Sequence, residues 1–337
     1  MTRFVTPGGV NRRTFLAGVA AAVATAATGV ALGRKNDAAQ VLRVGVMANL
    51  THAPMLAGLG SGRIAQALGP VGIESRVFRS GPRVTEALIG DAIDVGTTGP
   101  APAVVHHARH SSGSGERGGL RILGGCSSGG ASLVVTRRSR ISAAEHLHGK
   151  SLAVTQIGTT QDLALRAYLA AHGLRDTTAG GDVRVIAVAG ATVLAQMKNG
   201  ELDGAWLAEP WATRIVRELD AVRFIDERDL WPERRFSTAV LVARADRAAD
   251  AAVGRLASAL EDEVARALRD PVATRSEAYA ELERRVGNPG NRADFDAAWA
   301  FVDFTTDPVR SSVEELGRRA KRLEIIPASS RIDGLFG

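Results

Sequence analysis

Short apolar runs and helical stretches alternate along this chain in two successive series that share a phrase. That pattern restricts the fold to parallel α/β layers built in two halves. In the first series, 43–47, 73–78 and 93–97 read as buried strands. Pro54 opens a helix reaching 68, Ser80-Gly81-Pro82 starts one reaching 89, and Pro100 starts one reaching 107. In the second, strands at 151–155, 183–188 and 204–207 alternate with helices at 160–172 and 191–199. The shared phrase is Leu88-Ile89-Gly90-Asp91-Ala92-Ile93-Asp94-Val95-Gly96, matched by Met197-Lys198-Asn199-Gly200-Glu201-Leu202-Asp203-Gly204-Ala205. In each, a glycine closes a helix, because a C-cap favours left-handed backbone, and an Asp leads into a buried strand.

A further strand at 237–244 precedes helices at 246–269, 274–286, 292–304 and 308–322. Such a tail packs back on the first half. The expectation is therefore two lobes, 41–136 with 240–337 and 137–239, each a mainly parallel sheet flanked by helices. Two passages between them, near 136–142 and 232–240, would form a hinge.

Ahead of this body, Arg12-Arg13 precedes Phe15, Leu16 and an uncharged Ala-rich run. That is the layout of a twin-arginine export signal over 1–33. It predicts an extracytoplasmic protein, periplasmic or at the cell surface, with the signal either cleaved after one of the Ala-rich sites or kept as an anchor. No cysteine lies near the signal for lipidation, and Cys126 is the only cysteine, so no disulfide forms within the chain. Arg3, Arg12, Arg13, Arg34 and Lys35 carry five of the six net positive charges. The remainder is nearly neutral and poor in aromatics, which argues against nucleic acid as a partner.

In open parallel sheets, ligands sit beyond the carboxyl ends of strands. The loops so picked out are 49–52, 97–99, 126–128, 156–160 and 208–211. All but the last consist mainly of hydroxyl-bearing and small residues, and none carries Lys or Arg. Thr159 is a good N-cap with Asp162 as its box partner, so the amides of Gly158, Thr159 and Thr160 would form an oxyanion site. Thr98 and Gly99, and the hydroxyls of Ser127 and Ser128, are further donors. A carboxylate at Glu209 would bind a ligand amine or cap local amides, and Trp211 would stack on a ligand or fill the core. Gly125-Cys126-Ser127-Ser128-Gly129 also matches the Gly-x-Ser-x-Gly elbow of serine hydrolases, which needs a turn and then a helix. Here an apolar run, 132–136, follows. His106 and His110 have zinc-ligand spacing without a clear third ligand.

The phrases Ala48-Asn49-Leu50-Thr51-His52-Ala53-Pro54, Gly158-Thr159-Thr160-Gln161-Asp162 and Asp203-Gly204-Ala205-Trp206-Leu207-Ala208-Glu209-Pro210-Trp211 resemble the nitrate/sulfonate/taurine family of ABC-transporter substrate-binding proteins. The resemblance runs from about 42 to 242. It implies a two-lobed periplasmic-binding-protein fold of the second type, without a cofactor or catalysis. A small solute would be held between the lobes and handed to a membrane permease by a monomer. It carries ligand contacts onto Thr51, His52, Thr98, Gly99, Ser127, Ser128, Gly158, Thr159, Thr160, Glu209 and Thr238. A small organosulfonate is the expected ligand. Nitrate, taurine, bicarbonate or a small heteroaromatic are the alternatives, and a hydrolase using Ser127 is the alternative from another class. Relatives that make thiamin pyrimidine look Cys- and His-rich at the site, whereas this chain has one Cys.

Overall fold

The computed structural model describes residues 40–110 and 119–336, so the predicted export signal lies outside the described residues. Two sheets divide the chain. The first contains β1 (Val41–Met47), β2 (Gly72–Phe78), β3 (Val95–Thr98), β4 (Leu120–Gly129), β10 (Ser237–Arg244) and β11 (Val302–Phe304), in the order β11-β4-β10-β3-β1-β2. The second contains β5 (Ala131–Val135), β6 (Ser151–Val154), β7 (Arg184–Ala187), β8 (Gly204–Ala208) and β9 (Val222–Asp226), in the order β7-β6-β8-β5-β9. β1, β2 and β3 pair in parallel, as do β6, β7 and β8; β5 and β10 run against their neighbours. Both lobes are thus α/β layers, as the alternation predicts, but their sheets are mixed: each has a parallel three-stranded set, and β4, β5, β9, β10 and β11 pair antiparallel.

Helices cover both sheets. In the first lobe they are α1 (Ala53–Gly60), α2 (Arg63–Leu68), α3 (Gly81–Ile89) and α4 (Pro100–His110). In the second they are α5 (Thr160–Ala171), α6 (Gly190–Asn199) and α7 (Trp211–Leu219). The C-terminal helices are α8 (Ala251–Arg269), α9 (Pro271–Val286), α10 (Arg292–Ala298) and α11 (Arg310–Arg322). Leu56, Leu256, Leu260, Leu282 and Phe295 share one buried cluster with β1, so the tail does pack on the first lobe. Burial of this kind, about 25 cal/mol per Å² of apolar surface, is what holds the tail down.

Each copy of the shared phrase ends in the same clamp. Asp94 N–H donates to the Arg43 carbonyl (2.8 Å) and its carboxylate accepts the Arg43 N–H (2.8 Å). Asp203 N–H donates to the Ser151 carbonyl (2.9 Å) and its carboxylate accepts the Ser151 N–H (2.9 Å). Both Asp residues therefore fix the entry of a neighbouring parallel strand, β1 in one lobe and β6 in the other. The helix ends differ. Gly200 has φ +90°, as a C-cap glycine predicts, whereas Gly90 has φ −77° and Asp91 takes the left-handed position at +54°. Asp tolerates that region better than most residues because its short side chain bonds locally.

The passage between lobes differs from the expectation. Ala131–Val135 pairs with β8 and β9, so it belongs to the second sheet and not to the first. The chain crosses at Gly129-Gly130, both at φ +71°, a backbone region that residues with a Cβ rarely enter. It returns through 231–236, where Trp231 and Phe236 stack with ring centroids 5.7 Å apart. The tail also holds a strand within the predicted helix 292–304: α10 stops at Ala298 and β11 pairs with β4.

One buried carboxylate sits at the return passage. Glu227 is fully buried, accepts the Trp206 indole N–H at 2.7 Å and is pushed up to about 7 by desolvation. Because its folded pKa lies above the unfolded value, its stabilising contribution is present below pH 4.5 and lost as pH rises through 7. Glu227→Gln is expected to raise stability by about 3 kcal/mol at pH 8 and to change it little at pH 4, measured by urea unfolding. Equal effects at both pH values would contradict this.

Candidate functional site

The carboxyl ends of β1, β3 and β6 converge between the lobes on a chamber of about 30 Å³. Asn49, Thr51, His52, Gly81, Gly99 and Thr238 line it from the first lobe, and Thr159, Thr160 and Gln161 from the second. Met47 and Pro102 complete the wall, so no charged side chain lines it among the described residues.

Local sequence explains each contribution. Asn49 caps a short 3-10 turn by accepting the Thr51 N–H at 3.2 Å, which presents Thr51 and His52 after β1. Thr159 caps α5 as predicted: its hydroxyl accepts the Asp162 N–H at 3.3 Å. Thr98 holds the chamber wall from behind, donating to the Gly81 carbonyl at 3.1 Å. Thr238 hydrogen-bonds its hydroxyl to the Gly129 carbonyl at the crossing. Gly99 and Thr160 meet across the cleft. A Cβ on Gly99 would stand 2.5 Å from the Thr160 hydroxyl, which accepts the Ala101 N–H of α4 at 3.4 Å. A hydroxyl from one lobe thus seats on a helix start in the other.

His52 is 2 % exposed, and its Nδ1 has no hydrogen-bond partner. Burial holds its pKa down near 3, so the ring is neutral at physiological pH. The first amides of a helix have no partner within it. Gly158 N–H donates to the Asp162 carboxylate at 2.8 Å, whereas Thr160 and Gln161, the first two residues of α5, line the chamber. Gly158 N–H is thus engaged by Asp162, and the residues of this helix start that line the chamber are Thr159, Thr160 and Gln161.

Three expected contacts lie elsewhere. Ser127 and Ser128 are inside β4, opposite Ala239 and Ser237 of β10 and Phe304 and Asp303 of β11. The Ser128 hydroxyl accepts the Phe236 N–H at 3.2 Å; Ser127 is buried with its hydroxyl unpartnered. The strand runs unbroken to Gly129 and turns into β5, so the nucleophile elbow, which needs a helix after the turn, is not formed. Glu209 is fully buried and engaged on both oxygens, by Arg223 at 2.7 Å and by Thr213 N–H at 2.9 Å. It caps α7 and does not line the chamber, and Trp211 packs against the core of the second lobe. His106 and His110 stack at 5.8 Å on α4, and among the described residues no group of three or more His, Cys, Asp or Glu could hold a metal ion. Cys126 donates to the Thr51 carbonyl behind the site, and burial pushes its thiol up to about 12.

Gly81 and Gln161 lie outside the loops picked out from the sequence, and Asn49 lies in one of them without having been expected as a contact. The rule that ligands sit at strand carboxyl ends, applied to β2, points to Gly81, three residues past Phe78.

Two α/β lobes joined by crossing segments, with a chamber between their strand ends, make the periplasmic-binding-protein fold of the second type. The model of the NMT1-like family matches residues 35–280, and the chain belongs to that family. Similar solved structures include the periplasmic aliphatic sulphonate binding protein SsuA of Escherichia coli (TM-score 0.69, 18 % identity, 86 % of this chain and 90 % of that one). The periplasmic nitrate-binding protein NrtA of Synechocystis PCC 6803 is similar too (TM-score 0.71, 18 % identity, 87 % and 83 %). So is the alkanesulfonate-binding protein SsuA of Xanthomonas axonopodis pv. citri bound to MOPS (TM-score 0.70, 17 % identity, 88 % and 98 %). No curated protein sequence matches the chain significantly.

Proposed function

We propose that this chain is an extracytoplasmic solute-binding protein that clasps a small organosulfonate between its lobes and delivers it to the permease of an ABC importer. The observation that carries the reading is the chamber: hydroxyls and helix-start amides from both lobes, without a charged side chain. Helix N-termini favour negative charge, and dipoles suffice for an oxyanion kept away from water. Micromolar binding needs about −8 kcal/mol. Several charge-assisted hydrogen bonds of about 1.5–3 kcal/mol each supply that, after desolvation and closure are subtracted. The names of the sulfonate- and nitrate-binding neighbours support the same class of ligand. Taurine is disfavoured, because the carboxylate that would meet its ammonium, Glu209, is already paired with Arg223. The twin-arginine segment supports export by that route, and we propose that the protein acts alone as a monomer.

Calorimetry with methanesulfonate and nitrate tests this directly, with a pyrimidine as the competing class. Saturable one-to-one binding of an anion is expected. Binding of the pyrimidine with no heat from either anion would end the anion reading. Closure can be tested separately. Gly99→Val places carbon where Thr160 must sit, and overpacking costs about 1–3 kcal/mol, so affinity is expected to fall about five- to a hundredfold. The far-ultraviolet circular dichroism should not change. Undiminished affinity would show that the lobes do not close on the ligand here.

A further inference from the structure

The start of α5 carries a charge imbalance just behind the chamber wall. Thr159, Thr160 and Gln161 line the chamber; Asp162, the next residue, lines a separate groove on the far side of Gly158 and Pro82. Asp162 is 2 % exposed and uses both oxygens as acceptors. One takes the Gly158 N–H at 2.8 Å and the other the Arg166 Nε–H at 2.8 Å. Arg166 also reaches Asp176, likewise buried, at 2.6 Å. Burial pushes the Asp176 carboxyl up, but hydrogen bonds from Thr178 and Arg166 outweigh it and hold the group below its ordinary value, so it stays charged. Two buried carboxylates thus share one guanidinium, and the cluster keeps one net negative charge. His52 is the titratable side chain of the chamber wall, and it is neutral, so the wall itself does not offset that charge. The other charged residues of the groove, Glu86, Arg109, Arg175, Arg322 and Glu324, are exposed, where solvent screens them.

We propose that Asp162, backed by Asp176, sets the charge that the chamber accepts: it admits a monoanion and refuses a dianion of the same shape. This rests on the anion reading above. The start of α5 offers about half a positive charge, and Asp162 draws on it before any ligand does. What remains meets one ligand charge and not two. Shape gives no such discrimination, because sulfate and methanesulfonate differ only by an oxygen in place of a methyl group. At an effective dielectric of about 20, a unit charge about 6–12 Å away costs each added ligand charge about ten- to a hundredfold in affinity. Asp162 is therefore a positioning residue with a second effect: it holds the Gly158 turn, and its field selects the ligand's charge.

The test is calorimetry with methanesulfonate and with sulfate, in a chloride background at fixed ionic strength, on the wild type, Asp162→Asn and Asp176→Asn. Asn at 162 keeps an oxygen for the Gly158 N–H and removes the charge. Asn at 176 leaves the Asp162 contacts to Gly158 untouched, so it serves even where the first variant fails to fold. The wild type is expected to bind methanesulfonate at least tenfold tighter than sulfate. The ratio should fall about tenfold or more in Asp162→Asn, and in the same direction but less in Asp176→Asn. A merely structural role for Asp162 would weaken both anions alike and leave the ratio in place. Sulfate binding the wild type as tightly as methanesulfonate, or a ratio that neither variant moves, overturns the charge filter while leaving the anion reading standing. Failure of both anions and of nitrate to bind removes the anion reading, and the filter with it.

Discussion

Arg223→Leu is expected to destabilise the protein by about 3–5 kcal/mol, because it strands a buried carboxylate. Glu209 is fully buried, and its Arg223 contact is the cation in reach at 2.7 Å. Burial raises the Glu209 pKa and Arg223 opposes that rise, so removing the guanidinium forces the carboxyl either to remain charged in a dry site or to protonate. The same guanidinium hydrogen-bonds Thr213 at 3.0 Å and stands 3.7 Å from the Phe301 ring centroid, just ahead of β11 in the first sheet. It therefore ties the second lobe to the first as well as neutralising Glu209. The double variant Arg223→Leu with Glu209→Gln should recover much of the loss, since taking both charges out of a buried pair is far cheaper than taking one. Urea unfolding of the three variants decides the matter. Recovery absent in the double variant would mean that the Phe301 contact, and not the buried charge, dominates. Glu209→Gln alone should leave methanesulfonate affinity within about twofold, as a residue whose oxygens serve α7 has no contact to lose.

How much of this was legible beforehand follows the range of the forces. Local signals held. Alternation of period-two and helical patterns marked both lobes, and the Thr159 cap of α5 formed with Asp162 as its spacing requires. The paired Asp94 and Asp203 were visible as a repeated phrase, although their work, clamping the entry of a parallel strand, is a tertiary contact. Long-range pairing was not legible. Gly124-Gly125-Cys126-Ser127-Ser128-Gly129 has poor strand propensity and looks like a loop carrying a catalytic serine. It is held extended because β10 and β11 pair on both its edges. β11 was hidden for the same reason, being three residues long and defined by its partner. Glu209 read equally well as ligand contact or cap until Arg223, fourteen residues on, was seen beside it. Gly129-Gly130 carried the left-handed signal of the crossing, but Ala131–Val135 is apolar enough for either sheet, and only its pairing with β8 decides.

The stability of the wild type should be nearly flat in the combined contribution of His52 and Glu227 between pH 4.5 and 6.5, and that contribution should fall steeply below. His52 and Glu227 pull in opposite directions there. The folded pKa of His52, about 3, lies below its ordinary 6.5, so folding excludes a proton that the unfolded chain takes up. Its contribution is complete above pH 6.5 and is lost as pH falls toward 3, about 5 kcal/mol in all. Glu227 is raised from 4.5 to about 7 and therefore gains stability as pH falls through the same window. Each slope is about 1.4 kcal/mol per pH unit, so they cancel where both groups titrate. Below pH 4.5 only His52 still acts. Single substitutions expose the two halves. Relative to wild type, Glu227→Gln should uncover a loss of stability beginning near pH 6.5, and His52→Asn a gain on acidification from pH 7 to 4.5. Differences between variant and wild type remove every other carboxylate from the comparison. Urea unfolding from pH 3.5 to 8 supplies the curves. A His52→Asn profile parallel to wild type would mean that His52 takes up its proton in the folded state. The chamber would then carry a positive charge, and oxyanion binding would strengthen on acidification instead of holding constant.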